Sequence, residues 1–149
     1  MKIKLLITAL ILSFTAVSQD LLFRSEDYLK KRYPNTIFVQ DYTDDKVRYL
    51  YSTIDGVLYC LYMNNEKDIY RYLMVPNEES ITFDMLKYYE SMYTKITISP
   101  EMGTPDESTL FKMWKAPIRD GINVRIRLFY DIDDKKYVYV FDEWDQIQK

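Results

Sequence analysis

Carboxylates gathered near the end of the chain, and arginines interleaved with aromatics just before them, are the side chains with chemistry to offer. Asp131, Asp133 and Asp134 crowd one short run, and Asp142, Glu143 and Asp145 follow. Two carboxylates on opposite sides of a sugar would serve as the acid and base of a glycan hydrolase. The first run would also suit calcium by donor type, but it lacks the glycine and the distal Glu of an EF-hand loop. The ordinary reading of both runs is a solvated hairpin tip and a charged tail. Trp114, Arg125, Arg127 and Phe129 form the second set. If their segments pair as neighbouring strands, Trp114 meets Arg127 and Lys112 meets Phe129. Such cation–π contacts are worth about 0.5–1 kcal/mol when exposed. That is binding chemistry rather than catalysis.

The absences narrow the choice. The chain has no histidine, one cysteine and three isolated glycines. Histidine general bases, Ser-His and Cys-His nucleophiles and His-ligated zinc are excluded. One thiol builds neither a thiolate metal site nor a redox pair, and Gly56, Gly103 and Gly121 form no phosphate-cradling loop. No catalytic residue, metal ligand or cofactor is therefore assigned. Cys60, inside an apolar run, reads as a small buried hydrophobe.

The elements that must position these residues follow from periodicity. From 120 to 144 two alternating runs flank the polar turn 131–136. Val124, Ile126, Leu128 and Tyr130 share one face, and Asn123, Arg125, Arg127 and Phe129 share the other. A third run, 110–116, precedes Asp120-Gly121, a strong hairpin signal. With those two at the centre of the turn, Met113 faces Leu128, Phe111 faces Tyr130 and Lys115 faces Ile126. Trp114 then lies on the Arg127 face. A three-stranded meander from 109 to 142 is predicted. Upstream, strands at 36–42, 47–54, 57–63 and 68–75 form a four-stranded meander. Asp55-Gly56 sets Thr53 opposite Leu58, Tyr51 opposite Cys60 and Tyr49 opposite Tyr62. One helix runs from 20 to 33, with Ser25 as an internal start and Pro34 beyond its end. A second runs from about 80 to Lys95, its stripe Met85, Tyr89, Met92 and Ile96 facing the core. The stretch 99–109 is the longest loop.

The start of the chain reads as an address. Lys2 and Lys4 precede an apolar run from Leu5 to Val17, and Ala16-Val17-Ser18 offers small residues for cleavage before Gln19. The run is short of the roughly 20 residues a spanning helix needs. A cleavable signal peptide over 1–18 is predicted, then one exported domain over 19–142 and a polar tail over 143–149. Periplasmic or secreted placement in a bacterium follows, with no membrane span after cleavage. Loss of the leader takes the formal charge from −3 to −5, since it holds two lysines and no acid. Such an acidic domain is a poor partner for nucleic acid.

The predicted architecture is a two-layer α+β domain in the order α-β-β-β-β-α-β-β-β, both helices on one face of an antiparallel sheet. In element order it resembles the small exported helix-and-meander modules of the PepSY and β-lactamase-inhibitor type, a likeness that fixes no function. Fifteen Tyr, seven Phe and two Trp exceed what one core of this size needs. They serve either as half-buried strand residues or as a recognition surface. The expected function is an exported, non-enzymatic binding module. It would meet a protein or envelope component through the face of Trp114, Arg125, Arg127 and Phe129. The alternatives are the carboxylate-dependent glycan hydrolase and a small-ligand carrier with an aromatic cavity.

Overall fold

Asp55 and Gly56 carry φ of 51° and 78°, the two left-handed residues of a turn whose twist matches that of its strands. That turn joins β2 (Arg48–Ile54) to β3 (Val57–Met63) in the predicted register, Thr53 opposite Leu58, Tyr51 opposite Cys60 and Tyr49 opposite Tyr62. The computed structural model describes residues 21–96, 108–119 and 121–144. The predicted leader, most of the predicted loop and the end of the tail lie outside these residues.

Ser25 caps α1 (Glu26–Arg32), its Oγ accepting the Tyr28 N–H at 3.2 Å. The helix thus begins at the predicted internal start, and residues 21–25, predicted as its first turns, lie outside it, Ser25 bridging to Asp68 instead. β1 (Val39–Tyr42), β2, β3 and β4 (Ile69–Pro76) follow as successive antiparallel neighbours. The longer helix, α2 (Glu79–Met92), ends short of the predicted Lys95. Thr94 and Lys95 instead form β5, a two-residue strand against β6 (Ser108–Arg119). β7 (Ile122–Asp131) and β8 (Lys136–Glu143) complete the second meander. The result is one eight-stranded antiparallel sheet in the order β1-β2-β3-β4-β8-β7-β6-β5, one strand more than predicted. β4 and β8 join the two meanders, with Leu73 opposite Val140 and Arg71 opposite Asp142.

On one face of the sheet, Val57, Tyr59, Leu61 and Met63 of β3 lie in the same core as Tyr72, Met74, Val124, Ile126, Leu128, Tyr139 and Phe141. Leu29 of α1 and Met85 and Tyr89 of α2 belong to that core. Met92, predicted to continue the α2 stripe, is 59% exposed. Much of the tyrosine surplus is consumed here. Tyr72 stacks on Phe141 at 4.5 Å, and Tyr89 lies edge-on to Tyr139 at 5.2 Å. The Tyr139 hydroxyl donates to the Thr82 carbonyl at 2.9 Å, a buried link between β8 and α2. Burial pushes the hydroxyls of Tyr59, Tyr72 and Tyr139 well above their ordinary value; they stay protonated at all ordinary pH.

The β6–β7 register departs from prediction by one residue. Trp114 faces Ile126, Lys112 faces Leu128 and Met113 faces Arg127. Irregularities between Leu110 and Lys112 and between Pro117 and Arg119 interrupt the ladder. A one-residue slip sends every side chain to the opposite face.

Candidate functional site

The predicted binding quartet is divided by that slip. Trp114 is fully buried on the core face, its ring 5.8 Å from that of Tyr89. Arg125, Arg127 and Phe129 share the opposite face with Met113 and Lys115, and of these Met113 and Phe129 are themselves buried. The predicted contacts of Trp114 with Arg127 and of Lys112 with Phe129 are therefore not made. The Arg127 guanidinium instead lies over the ring of Phe129, two residues along its own strand, at 5.4 Å.

The pairings lay a continuous row of side chains across the open face. Tyr49, Tyr62, Arg71, Asp142, Arg125 and Lys115 are successive cross-strand partners on β2, β3, β4, β8, β7 and β6. Beside it runs a second row, Tyr51, Cys60, Leu73, Val140, Arg127 and Met113. The tyrosines form a ladder, Tyr49 lying 6.0 Å from Tyr51 and 5.6 Å from Tyr62. At the other end Lys115 Nζ sits 5.7 Å from the ring of Trp144.

Asp142, 6% exposed, is the hub of this face. Arg125 grips it with two parallel hydrogen bonds, Nε to Oδ1 at 2.9 Å and Nη2 to Oδ2 at 2.8 Å. Arg127 Nη2 donates to Oδ2 at 2.9 Å, and Arg71 Nη2 stands 3.6 Å from the same oxygen. One carboxylate thus serves three guanidiniums. Burial pulls Arg127 below its ordinary value, opposed by Asp142. Its Nε is buried with no hydrogen-bond partner among the described residues. The Arg71 side chain is 47% exposed.

A groove of about 570 Å³ opens beside this cluster. Leu73, Val138, Val140 and Phe129 supply apolar lining, and Tyr62, Arg71 and Arg127 supply polar groups. Thr43, Asp45 and Val47 from the β1–β2 turn line it together with Asp131 of β7. Three strands separate β2 from β7 in the sheet order, so the sheet must curl to bring these residues to one groove. Asp131 Oδ1 accepts the N–H groups of Asp133 and Asp134 at 3.0 and 3.1 Å. That carboxylate is therefore engaged in closing its own turn.

Arg71, Leu73 and Val140 were not among the sequence candidates, and Asp142 was considered there only as a carboxylate of the charged tail. Arg71 stands in an otherwise apolar and aromatic strand, a visible signal. The β4–β8 pairing that gives it meaning joins segments far apart in sequence and leaves no local trace.

Cys60 lies on the open face, and burial pushes its thiol up, away from reactivity. Among the described residues no group of three or more His, Cys, Asp or Glu could hold a metal ion. Among them, too, no helix is long and apolar enough to cross a membrane. No family model, curated protein or solved structure matches the chain.

Proposed function

We propose that the chain is a non-enzymatic exported binding module that recognises a protein or envelope component through the open face of its sheet. The observation that carries this reading is the cluster of Arg71, Arg125 and Arg127 on the single carboxylate of Asp142. The cluster holds more positive charge than Asp142 neutralises, within a chain of formal charge −3. Half-buried tyrosines continue the same face, and aromatic and arginine side chains are those that dominate recognition surfaces. An acidic partner is the complement of such a surface.

The test is capture from the envelope fraction of the producing cell on immobilised chain. Arg71→Glu should lose species that the wild type retains, and Lys87→Glu, on exposed α2 surface, should keep them. Identical profiles for the wild type and Arg71→Glu would remove this face from the proposal.

A second reading, the small-ligand carrier, is favoured by the groove. Its volume of about 570 Å³ falls in the range of small-molecule sites, roughly 300–1,000 Å³. The hydrolase reading draws on Asp45 and Asp131, which line the same groove, but Asp131 is tied to its turn.

A further inference from the structure

We infer that this groove is a site for a small amphipathic anion, its acidic head on Arg71 and its apolar body on Leu73, Val138, Val140 and Phe129. The inference rests on the open face being the recognition surface and names the chemistry of its occupant.

The argument begins with Arg71. Among the described residues its ion-pair contact is with Asp142 at 3.6 Å, too long for a hydrogen bond. Asp142 already takes two hydrogen bonds from Arg125 and one from Arg127. A guanidinium presents five N–H donors in a planar fork that matches a carboxylate, sulfonate or phosphate. Arg71 thus offers a half-exposed fork at the groove wall that the hub carboxylate does not saturate.

Charge around the groove agrees. Arg71, Arg125 and Arg127 stand beside the groove against Asp142, with Asp45 and Asp131 in the groove lining. Formal charge there is even, but Asp142 is taken up by Arg125 and Arg127 and Asp131 by two backbone N–H groups, so Arg71 is the charged fork left to meet a ligand. A cation would meet the Arg71 guanidinium. A wholly polar anion would leave the half-buried Leu73 and Val138 of the lining wet, beside the already buried Phe129 and Val140. An anion carrying an apolar body satisfies both parts of the wall, and the groove's size suits a free small molecule.

The probe pair is 1-anilinonaphthalene-8-sulfonate and N-phenyl-1-naphthylamine, which share their rings and differ in the sulfonate. Fluorescence titration of the full chain should show one sulfonate probe per chain. The neutral probe should bind at least tenfold more weakly. Arg71→Gln should weaken the sulfonate at least about tenfold, the loss of one charge-assisted contact, and leave the neutral probe unchanged. Backbone amide shifts of Leu73, Val138 and Val140 in the wild type should follow the same titration, which places the site without any variant. Equal affinity for both probes, an unchanged Arg71→Gln, or amide shifts confined to other elements would overturn the inference. Arg71-insensitive probe binding together with Arg71-sensitive envelope capture counts against this inference alone. The reverse pattern counts against the macromolecular reading alone.

Discussion

Arg125 and Asp142 face each other directly across β7 and β8, joined by two hydrogen bonds of 2.9 and 2.8 Å. The pair sits where the two meanders meet, because Asp142 is also the cross-strand partner of Arg71 on β4. Removing one partner of a buried ion pair leaves the other charge uncompensated, at a cost of about 3–5 kcal/mol. Here three arginines would be left, each partly solvated, so the lower end applies. Asp142→Asn is expected to destabilise the fold by about 3 kcal/mol and lower the thermal midpoint by roughly 10 °C. Arg71→Gln, which leaves Arg125 and Arg127 on the hub, is expected to cost under about 1 kcal/mol. Urea titration of both variants checks this. Equal losses would mean that Asp142 does not organise the cluster.

How much of this was legible in sequence depended on how each turn is built. Asp55-Gly56 fixed the β2–β3 register because a two-residue turn leaves no slack, and each predicted pair there is observed. Asp120-Gly121 gave the right hairpin but the wrong register, because a bulge adds a residue that alternation cannot reveal. Trp114 therefore moved from the expected surface to the core, while Arg125, Arg127 and Phe129 kept their shared face. The arginine hub needed Asp142 beside Arg71, a pairing of β4 with β8 that no periodicity encodes. Met92 shows the limit of a helical stripe. It has the spacing of Met85 and Tyr89, but it closes α2 and is exposed.

Glu26 couples α1 to the sheet and makes that contact sensitive to acid. Its Oε2 accepts from Arg48 Nη2 at 2.7 Å, and both side chains are largely buried. The hydrogen bond from Arg48 holds the carboxyl below its ordinary value of 4.5, with burial opposing. A carboxylate whose folded value is depressed contributes stability above its unfolded value, and that contribution is lost as pH falls through the folded value. Glu26→Gln should therefore lower stability at pH 7, and the difference from wild type should shrink below pH 4.5 and vanish at lower pH. Denaturation midpoints across that window check it. A difference that stays constant with pH would show that the variant acts through packing rather than charge.

Two glycines with nearly the same backbone angle separate conformational strain from crowding. Gly56 has φ of +78° and Gly121 of +75°. A side chain in this region costs about 1–2 kcal/mol. A Cβ at Gly56 would also stand 2.9 Å from Asn77 Oδ1 and 3.0 Å from Ile81 Cδ1, whereas one at Gly121 meets nothing within 4 Å. Asn77 is exposed and can swing aside, but the end of the Ile81 side chain packs against the core and must give by a few tenths of an ångström. Gly121→Ala should cost about 1 kcal/mol from the backbone alone, and Gly56→Ala about 2–3 kcal/mol with the added crowding. The contrast is read from paired urea midpoints. Equal losses at the two positions would mean that the close approach of the β2–β3 turn to α2 carries no energetic weight.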